Sequence, residues 1–168
     1  MSNLSLRGFV LIGLLFFPFA FKKKPIKDGL IVYLLTALLS ALIDHILVGK
    51  KLLAYPVRMF SKDFKYHVVF DLLLCPLVSV FYNQITYKDQ SIAKIVGKLF
   101  LFTIPQLIIE VLAGRYLNMV KWLNGWRWYH TFISMNVKYL VIRGFIQFIR
   151  KISRKQDLVV LLGSIIRK

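Results

Sequence analysis

Several ionisable residues of this sequence lie inside strongly apolar segments. The acids are Asp44, Asp71 and Glu110, and the cations are Lys138 and Arg143. Because an ionised side chain inside an apolar helix is costly, such residues are usually paired and often mark routes for protons or ions. With the neighbouring histidines they give one predicted polar cluster within the membrane: Asp44, His45, Asp71, Glu110, His130, Lys138 and Arg143.

Two kinds of chemistry suit this cluster. Carboxylates beside a lysine in a low dielectric can exchange protons, which is the chemistry of a small transporter or a proton or cation pathway. A membrane-embedded metal hydrolase built on Asp44, His45, Asp71 and His130 is a further alternative, although neither HxxxH nor HExxH spacing occurs. The motifs GxxxxGK[ST], GxGxxG and GxSxG are also missing from the sequence. We therefore predict no catalytic residue, no metal and no cofactor.

Five apolar segments must position these residues. The chain has 168 residues, and its hydrophobic content of 58% exceeds the roughly 45–50% of soluble domains. The apolar residues come in blocks, which indicates lipid as the surrounding solvent. We predict an all-α fold, a polytopic transmembrane helical bundle. Its spans, about five in number, are predicted at residues 4–21, 29–48, 67–82, 95–113 and 130–148.

A basic tail follows the last predicted span. Its apolar stretch, 158–166, is too short to cross a bilayer. We predict an interfacial helix or a disordered arm, so that the chain divides into a transmembrane domain, 1–148, and a basic amphipathic cytoplasmic tail, 149–168. The cations that begin the tail are Arg150, Lys151, Arg154 and Lys155.

The net charge of +17 is also explained by a membrane location. Most of the 24 Lys and Arg residues lie in short runs between apolar blocks, where they meet anionic lipid head groups. No separate basic domain exists that would bind nucleic acid. The run Lys22-Lys23-Lys24 after the first block favours an uncleaved first helix over a cleaved signal peptide. It also predicts a multi-pass protein of the cell membrane with its N-terminus outside and its C-terminus in the cytoplasm.

Chain threading predicts that the acids share one face of the membrane. The second helix ends where the third begins, and the fourth ends at the same face, so Asp44, Asp71 and Glu110 lie in one shallow layer. Lys138, on the fifth helix, is expected to pair with Asp71 or Glu110. The alternative is that these shallow polar groups only hold the helices together.

Aromatic residues are concentrated around the turn that leads into the fifth segment. Trp and Tyr are enriched where a membrane meets water, so we predict an interfacial aromatic belt. Its members are Tyr116, Trp122, Trp126, Trp128 and Tyr129. The connection 49–66 mixes basic and aromatic residues and is predicted to lie in the interface.

Three segments carry a resemblance to a known family. They are YPVRMFSKDFKYHVVFDLLLCPLVSVFYNQ (Tyr55 to Gln84), FTIPQLIIE (Phe102 to Glu110) and KWLNGWRWYHTF (Lys121 to Phe132). The sequence resembles a family of small uncharacterised multi-pass membrane proteins from spore-forming Gram-positive bacteria. That family has no established activity, so the resemblance implies a fold and a membrane address rather than a reaction.

The sequence therefore favours a non-enzymatic membrane protein with a structural, assembly or regulatory role. Its expected partners are the bilayer with its anionic lipids and either another membrane protein or a second copy of the chain. The transporter or proton pathway and the metal hydrolase remain as alternatives.

Overall fold

Five α-helices and one small sheet make up the described part of this computed structural model. The backbone is described for residues 2–22, 25–57 and 67–166, and side chains for 8–22, 25–57 and 67–156. The helices are α1 (Ser2–Ala20), α2 (Ile26–Gly49), α3 (Cys75–Ile85), α4 (Ile92–Leu117) and α5 (Trp128–Ile166), with a π-helical turn (Phe70–Leu74) leading into α3. The sheet pairs β1 (Leu53–Ala54) with β2 (Lys121–Trp122).

Three of the helices are long and apolar enough to cross a membrane, namely α2, α4 and α5. Shorter apolar helices cover Gly8–Ala20 and Phe70–Ile85. The helical fold is thus confirmed, and the number of about five spans stays a prediction. The predicted fold class omitted the sheet, because strands of two residues are too short to show a period-2 pattern.

The last helix differs from its predicted form. α5 continues through residue 148 without a break, so the tail begins inside the same helix. The physical reason is local, since residues 145–156 contain no Pro or Gly and the Lys and Arg that replace the apolar residues there are good helix formers. The side chains of the apolar stretch 158–166 lie outside the described residues.

The centre of the bundle is formed by α2, α3 and α5, with α4 packed on α5 and α1 on α3. α2 shows why these helices associate. Its buried face carries the small or polar residues Thr36 and Ser40, whereas Leu34 on the opposite face is 65% exposed. Small residues allow close approach of helix backbones, and the outward leucines are left for an apolar surrounding.

The π-helical turn before α3 has an identifiable cause. Pro76 lacks a backbone N–H and cannot bond the carbonyl of Leu72, four residues earlier. That carbonyl instead accepts a hydrogen bond of 2.7 Å from the Tyr33 hydroxyl on α2. The freed backbone group is therefore satisfied by a neighbouring helix, which is how such positions are tolerated inside a membrane.

The sheet ties two connections together at one end of the bundle, here called the sheet end. Leu53 pairs with Trp122, and the Leu123 N–H donates to the Leu52 carbonyl at 2.8 Å. Asn118 ends α4 in the left-handed conformation, with φ of 54°, which Asn tolerates better than most residues. α2 and α4 thus end at the same face, as threading requires. Residues 58–66, most of the predicted interfacial connection, lie outside the described residues.

Candidate functional site

A cavity of about 70 Å³ lies between the helices beneath the sheet. Its walls are largely apolar, but several ionisable side chains reach it from four different elements. It is large enough for several water molecules and far smaller than the sites that enclose drug-sized ligands. The ionisable residues that line it are Asp44, Tyr55, His67, Asp71, Cys75, Glu110 and Lys138.

Two carboxyl groups meet at this cavity. Asp44, near the end of α2, and Asp71, in the π-helical turn, lie within hydrogen-bonding reach of each other. Two carboxylates offer only acceptors, so a hydrogen bond between these groups would need a proton on one of them. Asp71 is 3% exposed, and Glu110 on α4, which is 6% exposed, acts on the pair through space. Three carboxyl groups therefore share one small low-dielectric space.

Lys138 supplies the only cation among the described residues that line this cavity. Its Nζ donates a hydrogen bond of 2.7 Å to Ser40 Oγ on α2, and it attracts all three carboxyl groups electrostatically. Within the described side chains it makes no ion pair as close as 4 Å. The predicted ion pair of Lys138 with Asp71 or Glu110 is therefore not formed. α5 packs against α2, and this places the ammonium group of Lys138 next to Ser40.

Tyr55 caps the carboxyl pair from the sheet end. It follows β1 directly, and its hydroxyl donates to Asp44 Oδ2. Burial, reinforced by the carboxylates of Asp44, Asp71 and Glu110, raises the pKa of the Tyr55 phenol well above its ordinary value. The phenol therefore stays protonated and remains a donor to Asp44.

His67 also reaches the cavity, just before the third helical segment. Its Nδ1 accepts the backbone N–H of Phe70 at 3.3 Å, and its ring lies edge-on to Tyr55, with centroids 6.0 Å apart. Among the described side chains, His67 Nε2 and Asp71 Oδ2 are buried polar atoms without a hydrogen-bond partner. Both belong to residues that line the cavity.

A polar network continues from the cavity into the bundle. Gln106 Nε2 donates to Cys75 Sγ at 3.0 Å, and the Tyr139 hydroxyl donates to Gln106 Oε1 at 2.7 Å. Thr103 Oγ1 donates to Asn136 Oδ1 at 3.0 Å. These bonds join the third helical segment, α4 and α5 with neutral groups, so the ionisable part of the interior stays at the sheet end.

The opposite end of the bundle also holds charged residues, and three of its cations have close partners. Arg143 donates to Thr86 Oγ1 at 3.2 Å and to the carbonyls of Thr86 and Asp89 at 3.1 and 2.9 Å. Lys98 Nζ lies 2.6 Å from Asp89 Oδ2. Arg150 lies 2.5 Å from Asp28 Oδ2 and over the Tyr87 ring. These three cations are therefore satisfied by nearby oxygen atoms.

The predicted cluster of seven residues is therefore divided. Asp44, Asp71, Glu110 and Lys138 meet at the cavity, whereas His45 is exposed on α2. His130 accepts the Arg127 backbone N–H at 3.1 Å and stacks on Trp126. Arg143 lies at the opposite end. Sequence spacing placed these three near apolar helix ends but did not give their direction.

The four residues of the metal hydrolase alternative do not all line one cavity. His45 and His130 do not line the cavity that Asp44 and Asp71 share. Across the described side chains, no group of three His, Cys, Asp or Glu residues is arranged to hold a metal ion.

The residues of the predicted aromatic belt take two different positions. Trp122 and Trp126 turn inward, and both indole N–H groups donate to Thr131 Oγ1, at 3.2 and 3.1 Å. Tyr116, Trp128 and Tyr129 are exposed. The first two residues therefore fix the turn before α5, and only the other three are free to face a membrane interface.

The sequence interpretation did not identify two residues of the site, Ser40 and Tyr55. Ser40 lies four residues before Asp44, and with Thr36 it forms a polar stripe at helical spacing that indicates one buried face. Tyr55 gives no such signal, because its approach to Asp44 depends on the pairing of β1 with β2 far along the chain. The chain matches no protein-family model, no curated protein and no solved structure.

Proposed function

We propose that this protein is a multi-pass membrane protein that takes up and releases protons through Asp44, Asp71 and Glu110, as a proton pathway or the proton-coupled centre of a small transporter. The observation that carries the proposal is the imbalance of charge at the cavity. Three carboxyl groups there face one ammonium group, that of Lys138.

The charge balance makes bound protons necessary. If all three acids were ionised, two negative charges would remain uncompensated in a space with few polar groups. Burying an unpaired ion costs far more than protonating it. A carboxyl pair in contact therefore titrates as a unit that shares a proton, and a proton held in this way can be passed on when its surroundings change.

The exposure pattern supports a membrane location for this chemistry. Thr36 and Ser40 are buried inside the bundle, whereas Leu34, Leu38 and Leu42 on the same helix are exposed. This is the reverse of a soluble helix, in which large exposed apolar patches are rare. We propose five spans in the cell membrane, with the N-terminus and the sheet end outside and the C-terminus in the cytoplasm.

Cysteine labelling in intact cells tests this topology. In a Cys75→Ser background, Lys50→Cys and Lys121→Cys at the sheet end should both react with a membrane-impermeant maleimide. Lys88→Cys at the opposite end should react only after the cells are opened. Labelling of residues 50 and 121 from different sides of the membrane would contradict the proposed arrangement.

Proton flux measured in liposomes tests the function. Purified protein in vesicles with an internal pH dye should move protons down an imposed gradient. Asp71→Asn and Glu110→Gln should each lower the rate at least about tenfold, which corresponds to ~1.4 kcal/mol. Asp89→Asn removes a carboxylate at the opposite end and should leave the rate unchanged. Wild-type vesicles no leakier than protein-free vesicles would overturn the proposal.

One observation favours a second function, the structural or assembly role predicted from the sequence. α5 has 39 residues, or roughly 58 Å at 1.5 Å per residue, and a membrane core needs only about 30 Å. Its exposed residues beyond the spanning part include Lys151, Arg154 and Lys155. Such a basic arm suits anionic lipid head groups or an acidic partner surface.

Binding to vesicles separates the two surfaces that the arm would suit. A peptide of residues 145–168 should bind vesicles that contain phosphatidylglycerol and lose binding when Lys151, Arg154 and Lys155 are replaced by Gln. The same replacements can be made in the full-length protein. If that variant still co-purifies a partner in mild detergent, the partner binds another surface. If the peptide does not bind anionic vesicles, the lipid-binding role of the arm is wrong.

A further inference from the structure

Two residues that line the same small cavity each have one unpartnered polar atom. His67 is 5% exposed and Asp71 is 3% exposed, and His67 Nε2 and Asp71 Oδ2 have no hydrogen-bond partner within the described part of the chain. An unsatisfied buried donor or acceptor costs about 1–3 kcal/mol. One small polar molecule bonded to both atoms would remove both of these costs.

The hydrogen-bonding state of His67 can be assigned from its other nitrogen. The Phe70 backbone N–H donates to the His67 carbonyl at 2.9 Å and also to Nδ1 at 3.3 Å, and a nitrogen that accepts in this way carries a lone pair and no proton. In a neutral imidazole the proton then lies on Nε2. His67 thus presents an N–H donor, and Asp71 Oδ2 presents an oxygen that accepts a hydrogen bond when ionised.

A molecule that bonds both atoms must therefore accept a hydrogen bond from the Nε2–H of His67 and donate one to Asp71 Oδ2. The cavity of about 70 Å³ has room for several waters. Water has the required donors and acceptors, and buried water typically makes about three hydrogen bonds to otherwise unsatisfied groups.

We propose that a water molecule binds between His67 Nε2 and Asp71 Oδ2 and relays protons between the carboxyl pair and the aqueous phase at the sheet end. His67 lies just before the π-helical turn, and Tyr55 and Phe70 pack around its ring. His67 lines the cavity, and the water extends the polar chain from Asp44 and Asp71 to the histidine. The water site stands independently, whereas the relay rests on the proposed proton function.

Solid-state NMR of the protein in bilayers tests the water site without any transport assay. The chain has three histidines, so ¹⁵N-histidine labelling gives three sets of signals, and His45→Gln and His130→Gln identify two of them. The remaining signals should show a proton on Nε2 of His67 with a cross-peak to water, and Asp71→Leu should remove that cross-peak. A proton on Nδ1, or an Nε2–H without water contact, would overturn the water site.

Two substitutions of His67 test the relay in the liposome assay. His67→Gln keeps an amide N–H near the place of Nε2 and should retain at least about a third of the wild-type rate. His67→Leu removes the donor and should lower the rate about tenfold or more. Equal rates in His67→Leu and wild type would show that protons bypass His67. If wild-type vesicles carry no proton flux, the proposed function and the relay both fail while the NMR result still decides the water site.

Discussion

The two ends of the bundle differ in how their charged side chains are paired. At the opposite end, Arg143 bonds three oxygen atoms, and Lys98 and Arg150 each have a carboxylate within 2.6 Å. At the sheet end, three carboxyl groups share one ammonium, which bonds a serine instead of an acid. Local pairing explains the first end as structure. At the second end the carboxyl groups that line the cavity outnumber its one ammonium group, and that imbalance is the physical basis of the proposed function.

The largest expected effect comes from removing Lys138, the one lysine or arginine among the described residues that line the cavity. Lys138→Met leaves three carboxyl groups without a counter-charge, and loss of one partner from a buried ionic group costs about 3–5 kcal/mol. This loss of stability in Lys138→Met should be smaller at acid pH, because protonated carboxyl groups need no counter-charge. The free energy of unfolding in mixed micelles, measured at neutral and acid pH, checks this prediction.

Lys98→Met is the matched control for Lys138→Met. It removes a lysine from a partly exposed ion pair at the opposite end, and such pairs contribute about 0.2–1 kcal/mol. If the two variants lose equal stability, or if the loss in Lys138→Met does not depend on pH, the distinction between the two ends is wrong.

A smaller loss is expected when Arg143 is replaced at the opposite end. Arg143→Met removes hydrogen bonds to Thr86 and Asp89, and bonds to a charged group contribute about 1.5–3 kcal/mol. This loss should not change between neutral and acid pH, and proton flux through folded protein should be unaffected. Arg143→Lys, which lacks the planar fork, should restore only part of the stability. A flux defect in Arg143→Met would extend the proton path to the opposite end.

The difference between the ends could be predicted only in part from the sequence. Helix ends at a shared membrane face follow from chain order, which placed Asp44, Asp71 and Glu110 in one layer. The direction of a side chain around its helix does not follow from chain order. Chain order therefore did not predict that His130 stacks on Trp126, that Arg143 bonds Thr86 or that Lys138 bonds Ser40. Tyr55 depends on a two-residue strand pairing that no local pattern indicates.

The smallest expected effect concerns Tyr55, which sharpens the account of the sheet end. Tyr55→Phe removes the donor to Asp44 and should cost about 1 kcal/mol. The raised pKa of the Tyr55 phenol gives the pH dependence. Below pH about 10 the phenol is protonated in both folded and unfolded chains, so the difference between wild type and variant is constant.

Above pH about 10 the phenol ionises in the unfolded chain but not in the folded one, so wild type loses stability that Tyr55→Phe does not lose. The difference in unfolding free energy between the two proteins should therefore narrow as pH rises. A difference that widens above pH 10 would show that the folded phenol ionises more readily than the unfolded one.

Infrared difference spectroscopy of the protein in bilayers at neutral pH tests the central claim most directly. A carboxyl group that holds a proton shows a C=O stretching band that shifts in D₂O, and a carboxylate does not. The sheet end should give such a band in wild type and in Asp89→Asn, and Asp71→Asn should remove or shift it. A wild-type spectrum in which every carboxyl group is ionised would contradict the shared proton and the function proposed from it.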